Sequence, residues 1–416
     1  MFKKRNYNQK AKEVIFKIPQ FPHISETFLV AQILTAIKLG FSIKIITRKF
    51  IRENISLIEK YNLQERVIIQ DYRIPKNKFI RSLKWILLLI QNISDINYIF
   101  RYYRVQETFS LTWLYQLVFY KKFNKASIFH IQYGTNSTPI DKLKKIKYLK
   151  PAVIVTFHGH DAFFPLYGYI DNNGYYNDLF ASNSFITANT PYLSNKIEGL
   201  GCSKDKLKVI PVGVNTSYFY PKPTQKDSNI IKLITVGRLD NVKGQKYCIE
   251  VVKQLLNLRI EARLSIIGAG EERENLETLI NEYKLTNNIK LLGSKNSSEI
   301  RDVLWQHDIY LLLAVPVENG RRETQGLATL EAQACGLSAI VFDSGGVKYT
   351  VKNEISGFIC EEFNVNEVVE KVKYLHENRK VLQDMGENAS RFVSEQYSQS
   401  LIDEQWGQFY NEIIKE

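Results

Sequence analysis

The chain is short of the residues that build cross-linked, metal-bound or membrane-spanning structure. Its four cysteines, Cys202, Cys248, Cys335 and Cys360, are widely spaced and form no Cys-x-x-Cys pair. That pattern supplies no zinc ligands and predicts four free thiols in a reducing compartment. The longest internal greasy stretch, Trp85–Ile90, falls far short of the roughly 18 residues a membrane span requires. The opening MFKKRNYNQKAKEVIFKI is basic but is not followed by an apolar run long enough for a secretory signal. A cytoplasmic protein is therefore expected, one that touches a membrane face at most. Histidine is also scarce. His158, His160 and Asp161 stand together, but no second cluster offers the remaining ligands of a catalytic metal, so no metal site is expected.

What is present is ordinary globular material. With 416 residues, 44% of them hydrophobic, the chain can bury a large core and divide into about two or three domains. Charge is unevenly placed. Residues 1–210 hold 32 Lys/Arg against 14 Asp/Glu, a net +18, whereas residues 211–416 are net −5. A basic half attracts nucleic acid, anionic lipid or phosphorylated substrate. Zinc spacing, an RNP-like aromatic signature and a GxxG clamp are all missing, so no nucleic-acid partner is expected. Within the basic half, Lys78–Arg104 combines cations with Trp85–Ile90 and Tyr102-Tyr103. It reads either as a helix packed on a sheet or as a segment lying on an anionic membrane surface.

Short apolar runs alternate with helical spacing along both halves. Strands are predicted at Val14–Ile18, Ser42–Ile46, Ser127–Ile131, Val153–Phe157 and Phe185–Ala188, then at Ile231–Val236, Arg263–Ile267, Ile309–Leu313 and Ser338–Phe342. Such alternation indicates α/β architecture: two doubly wound, mostly parallel sheets, with ligands beyond the carboxyl ends of the strands. The proline-rich, polar stretch around residues 213–229 is the candidate linker. The chain ends in helices.

In the second half, Gly237, Arg238 and Lys243 follow a strand and lead into the helix from Gly244. A diphosphate there would meet a guanidinium, an ammonium and a helix N-terminus. Glu323-Thr324-Gln325-Gly326-Leu327 precedes another helix, with Glu331 about one turn inside it. Glu323 can accept a sugar hydroxyl and Glu331 a pair of ribose hydroxyls. Gly268 and Gly270 imitate a dinucleotide fingerprint but fail at the third position, Arg273, and read as a tight turn.

In the first half, His158 ends a strand and is placed to touch a sugar hydroxyl, while Asp161 reads as a cap for the next turn. Ser25 and Glu26 open the first helix, and His130, Gly134 and Thr135 end another strand. These are the candidates for an acceptor-facing wall, with plain helix capping as the other reading of Ser25.

Together the stretches FPHISETFLVAQI, HIQYGTNS, TFHGHDAF, KVIPVGVNTSYFYP, ITVGRLDNVKGQ, RLSIIGAGEERENLE and ETQGLATLEAQACG, then FDSGG, resemble family 4 retaining glycosyltransferases. The resemblance runs from residue 21 to residue 346. Within the family the chain is similar to bacterial enzymes of capsule, exopolysaccharide or O-antigen synthesis. The resemblance implies GT-B architecture, two Rossmann-like domains facing a central cleft. Residues 1–212 would form the acceptor-side domain, completed by a returning helix at 396–416, and residues 230–395 the donor domain.

It also implies a metal-independent retaining transfer of a hexose or related sugar, without a cofactor, from a UDP- or GDP-sugar to a lipid-linked or glycan acceptor. Arg238 and Lys243 would grip the diphosphate, Glu323 and His158 the sugar, and Glu331 the ribose. The backbone after Glu323, from Thr324 to Leu327, would help hold sugar and phosphate, and Leu292 and Gly293 would border the base. Two features depart from many relatives: SETF replaces a glycine-rich loop after the first strand, and Val347-Lys348-Tyr349 follows Gly345-Gly346 where a glutamate is common. A nucleotide-sugar epimerase of the same fold and a basic nucleic-acid-binding protein are the rival readings.

Overall fold

The computed structural model describes residues 12–22, 27–51, 56–106, 108–222 and 229–415. The first sheet has seven parallel strands in the order β3-β2-β1-β4-β5-β6-β7. They are β1 (Glu13–Phe21), β2 (Ser42–Phe50), β3 (Val67–Ile69), β4 (Ile128–Gln132), β5 (Ala152–Thr156), β6 (Ser184–Ala188) and β7 (Leu207–Val209). The second is parallel in the order β10-β9-β8-β11-β12-β13. Its strands are β8 (Ile231–Val236), β9 (Ala262–Ile267), β10 (Ile289–Leu291), β11 (Ile309–Leu312), β12 (Ser338–Phe342) and β13 (Gly357–Cys360). Parallel strands need crossover helices on both faces, and burial on both faces explains why these runs are continuously apolar rather than alternating.

Strand order reverses between β1 and β4 and again between β8 and β11. Those switch points open crevices at the strands' carboxyl ends. The loops that line them carry several of the sequence-predicted site residues, among them Arg238, Lys243 and Glu323.

The chain crosses between the halves twice, at one place. Val214 donates to Tyr397 O at 2.8 Å, and Gln399 donates to Val214 O at 2.8 Å. A side chain at Gly213 would strike Ile402 at 2.9 Å. The final helix, Gln399–Lys415, then packs Ile402, Trp406, Phe409, Tyr410 and Ile413 into a core shared with β1 and helix Thr27–Lys38. Asp403 fixes its start by accepting from Lys38 Nζ at 2.9 Å and from Thr35 Oγ1 at 2.5 Å. The expected linker is not a free tether where it is described. Val214 and Phe219 enter the second half's core, and the Tyr220 carbonyl accepts from Trp305 Nε1 at 2.6 Å.

Helix Lys78–Gln91 has no fully buried residue. Trp85, Leu88 and Leu89 lean on the first core, and Trp85 Nε1 donates to Tyr103 Oη at 2.9 Å. Phe79, Leu83, Leu87 and Ile90, spaced by four, four and three, stay exposed on another side. The helix is thus packed along one edge only. Among the described residues no helix is long and apolar enough to cross a membrane.

Candidate functional site

The loop after β8 turns under constraint. Asp240 Oδ1 accepts from Val242 N at 3.1 Å and closes a single turn at Asn241–Lys243. Gly244 follows at φ 65°, where a Cβ would lie 1.7 Å from the Leu313 carbonyl, so glycine is required. This turn delivers Lys243 inward, where its Nζ meets Glu323 Oε2 at 2.6 Å. Arg238 stays out, with its side chain 67% exposed and its nearest acid, Asp240, 3.9 Å away. The loop therefore offers one pinned cation and one exposed cation at the carboxyl end of a switch-point strand.

Glu323 is held from two sides. Its Oε1 accepts from Gly326 N at 3.0 Å and Gln325 N at 3.3 Å, the amides that lead into helix Leu327–Ala334. Burial pushes its carboxyl up, but Lys243 and the two amides more than offset this and hold it down at about 2. Gly326 begins the helix at φ 84°.

One turn on, Glu331 is half-buried and has no side-chain hydrogen bond or ion pair among the described residues. Burial alone pushes its carboxyl up to about 7. An unpartnered acceptor in that position is suited to a ligand that brings its own donors.

The side chains of Thr324 and Gln325 join the two halves. Thr324 Oγ1 donates to His158 O at 3.2 Å and receives Asn189 Nδ2 at 3.3 Å, while its carbonyl accepts from Thr190 Oγ1 at 2.8 Å. The Gln325 amide pairs both ways with the Val212 backbone, at 3.0 and 2.9 Å. Gly159 and Gly346 lack side chains for the same reason, since a Cβ at either would strike Thr324. Leu327 is half-buried at the helix start.

His158 stands where β5 ends, its ring between Phe28 (4.9 Å) and Tyr133 (4.6 Å). Its Nε2 is 2.8 Å from Gln132 Oε1, and Gln132 Nε2 donates to Gln32 Oε1 at 2.7 Å. Burial, then the neighbouring His160, lowers its pKa to about 3, so the ring is neutral. His158 lines a small cavity within the first half, closed by the last helix, with Phe28, Gln32, Asn189, Val212 and Trp406.

Three of the other acceptor-side candidates, His130, Asp161 and Gly134, need correction. His130 is fully buried, with Nδ1 2.8 Å from Tyr410 Oη and Nε2 2.7 Å from Thr156 Oγ1, so it fastens the last helix to the sheet and faces no ligand. Asp161 is likewise fully buried. Rather than capping the next turn, it accepts from the amides of Gly134 (2.8 Å), His158 (3.0 Å) and Gly159 (2.9 Å), fixing two loops together. Gly134 is covered by the Phe157 ring, which a Cβ would meet at 2.4 Å. Only Thr135 of that group keeps some exposure. Ser25 and Glu26 lie outside the described residues.

The remaining glycines shape loops. Gly268, at φ 145°, allows β9's loop to sit on the Gly237 carbonyl, which a Cβ would reach at 1.8 Å. It also donates to Gly293 O at 2.9 Å, and Leu292 and Gly293 remain half-exposed there. Gly345 packs beneath the Glu323 carbonyl, which accepts from Gly346 N at 2.8 Å. Arg321 and Arg322 are tied to Asp240 and Glu362 rather than directed at the crevice.

Sequence reasoning missed Asn189 and Thr190. Thr190 was recognisable as an N-cap before Pro191, and it does accept from Leu193 N at 3.3 Å, but its cross-chain bond gave no signal. It also missed buried Lys17, whose Nζ binds the Asn136 and Thr138 carbonyls under the first crevice. Among the described residues no group of three or more His, Cys, Asp or Glu is arranged to hold a metal ion.

The chain resembles known proteins in sequence and in fold. Residues 218–392 match the family described as "Glycosyl transferases group 1". The chain is 26% identical over 371 residues to the putative colanic acid biosynthesis glycosyltransferase WcaL of Escherichia coli K12, covering 86% of this chain and 89% of that protein. It is also 26% identical to the amylovoran biosynthesis glycosyltransferase AmsK of Erwinia amylovora, covering 84% and 87% respectively. Among solved structures, a glycosyltransferase from Rickettsia africae ESF-5 superposes with a TM-score of 0.70 at 19% identity, covering 98% of this chain and all of that one. Anabaena Alr3699/HepE in complex with UDP-glucose gives 0.68 at 15% identity, covering 96% and 99%.

Proposed function

For this chain, a GT-B-fold glycosyltransferase that resembles bacterial capsule and exopolysaccharide enzymes, we propose a retaining, metal-independent transfer of a hexose or related sugar from a UDP-sugar to a lipid-linked or glycan acceptor. The observation that carries this reading is the Lys243–Glu323 contact at 2.6 Å, set against the start of helix Leu327–Ala334. It puts an ammonium, a carboxylate and a helix N-terminus together at one crevice. The UDP preference draws on the fold shared with the UDP-glucose complex of HepE.

Breaking the bond from the anomeric carbon to the diphosphate puts negative charge on the leaving group and positive charge on the sugar. Lys243, Arg238 and the first free amides of helix Leu327–Ala334 stabilise the leaving charge, Lys243 and the amides being oriented before the reaction starts. Arg238 swings in from its exposed position. Glu323, ionised at all working pH values, takes a sugar hydroxyl. Glu331 takes the ribose hydroxyls, His158 approaches the sugar as a neutral imidazole, and Leu292 and Gly293 border the base. A phosphate oxygen receives the acceptor's proton on the face the diphosphate leaves, with no covalent sugar–enzyme intermediate.

Residues 1–212 with the helix from 396 act as the acceptor-side domain, and 230–395 as the donor domain. The basic first half, with the exposed side of Lys78–Gln91, seats the enzyme on the inner membrane face, where a lipid-linked acceptor is available. Calorimetric titration with UDP- and GDP-sugars tests the donor assignment. UDP-sugar binding that is lost in Lys243→Ala supports it, and absence of binding by any sugar nucleotide would overturn it.

A further inference from the structure

A second basic site lies away from the crevice. Helix Ile96–Arg104 and the turn after helix Ile140–Lys145 enclose an open pocket of about 300 Å³ lined by Arg101, Arg104, Val105, Lys145, Ile146 and Lys147. No acid lines it. Lys145 has a partner, Asp178 at 2.6 Å. The side chains of Arg101, Arg104 and Lys147 have no hydrogen bond or ion pair among the described residues and are exposed.

Lys147 is held at φ 64°, where it closes the helix by donating to Lys144 O at 2.9 Å. That left-handed position after a helix normally takes glycine. Here a lysine occupies it and turns its cation to the pocket. Cations in the last turn also complement a helix dipole, but that effect does not require a strained residue.

The pocket is continuous in sequence with an apolar surface. Phe100, 67% exposed, shares the helix of Arg101 and Arg104, and Ile93 and Ile96 precede it. The row Phe79, Leu83, Leu87 and Ile90 lies on the preceding helix. Phe100, one helical turn before Arg104, pairs an exposed ring with an exposed cation on one helix, and that combination complements a bilayer that offers acyl chains and anionic phosphates together.

We propose that this pocket holds the phosphate of an anionic phospholipid headgroup while the Phe79–Ile90 row and Phe100 enter the bilayer. The inference deepens the membrane seating proposed above by assigning the lipid class and the residues that select it.

The test is co-sedimentation of the full chain with vesicles of phosphatidylcholine alone or with 30 mol% phosphatidylglycerol. Wild type should prefer the anionic vesicles by at least tenfold and lose that preference in high salt. Arg101→Gln/Arg104→Gln/Lys147→Gly should lose most of that preference. Lys147→Gly suits its backbone and keeps the fold intact. Phe79→Ser/Leu87→Ser should weaken binding to both types. UDP-sugar binding should be unchanged in all these variants, and because it is read separately, a failed donor assignment leaves the vesicle result interpretable.

Three outcomes overturn the proposal. One is a triple variant that keeps the anionic preference. Another is inorganic phosphate at millimolar concentration binding the pocket while vesicles do not. The last is a self-association, abolished by Phe79→Ser/Leu87→Ser, that accounts for the apolar surface.

Discussion

Thr324 donates its hydroxyl to the carbonyl of His158 at 3.2 Å, joining the loop that carries Glu323 to the loop that carries the first half's candidate sugar contact. With Asn189, Thr190 and the Gln325–Val212 pair, it latches the halves together next to the crevice. Thr324→Val keeps the shape of the side chain but removes its donor and acceptor. We expect the halves to separate more often, visible as a larger radius of gyration in solution scattering without nucleotide. Turnover should fall about tenfold, because misplacing groups across a closing site costs rate well before it costs stability. Wild-type dimensions together with wild-type turnover would mean that the latch is incidental.

The Lys243–Glu323 pair makes separate predictions for its two members. Lys243→Met removes a cation from the leaving-group side and should reduce turnover by roughly 100-fold or more. It also leaves Glu323 buried beside two amides without its counter-ion, at a cost of about 1–3 kcal/mol. Glu323→Gln keeps the size but weakens the amide contacts and the pull on Lys243. The folded carboxyl titrates at about 2 against an ordinary value of 4.5. The stability it confers is therefore complete above pH 4.5 and lost as the pH falls from there toward 2. Glu323→Gln should lose stability at pH 7, and its deficit should shrink below pH 4. Denaturant melts at pH 7 and pH 3 check this, and equal deficits at both would contradict it.

Glu331 predicts the opposite sign. Its folded pKa, about 7, lies above the ordinary 4.5. Holding the protonated carboxyl favours folding below pH 4.5, and that advantage is lost as the pH rises through 7. Glu331→Gln should therefore raise stability at pH 8, on the order of 1–3 kcal/mol. The ribose contact needs the ionised acceptor, so wild-type nucleotide affinity should weaken as the pH drops from 8 to 6. In the glutamine variant affinity should be lower at pH 8 and nearly flat with pH. A wild-type affinity that is independent of pH across this interval would remove Glu331 from the ribose contact.

The fold was largely legible because parallel strands buried on both faces leave continuous apolar runs, such as Ile231–Val236 and Ser338–Phe342. Four strands were not seen. Val67–Ile69, Leu207–Val209 and Ile289–Leu291 have three residues each, and Gly357–Cys360 begins with glycine. All lie at a sheet edge and are too short, at three or four residues, for a periodic signal to stand out. At the site, the glycines and the Lys243 turn were readable because close backbone approach requires particular residue types. Spacing did not reveal which side chains look inward. Thr324 and Asp161 bond to chain segments distant in sequence, and a histidine at a strand end reads the same whether it faces a ligand, as proposed for His158, or a helix, as His130 does.

His130 provides the sharpest test of that distinction. Burial, reinforced by His158, lowers its pKa from the ordinary 6.5 to about 3, and both ring nitrogens are used by Tyr410 and Thr156. A neutral ring in the fold and a protonated one in the unfolded chain mean that its stabilisation is complete above pH 6.5 and drains away as the pH falls toward 3. His158 shares that direction. Between these limits the two rings together predict a stability slope approaching about 2.7 kcal/mol per pH unit. His130→Phe fills the space between Phe16 and Trp406 but leaves the Tyr410 and Thr156 hydroxyls without the ring, so about 1–3 kcal/mol should be lost at pH 7. The slope should be roughly halved. Acceptor KM should not change once the variant is folded, since the ring does not reach the crevice. A raised acceptor KM with an unaltered melting curve would return His130 to the acceptor wall.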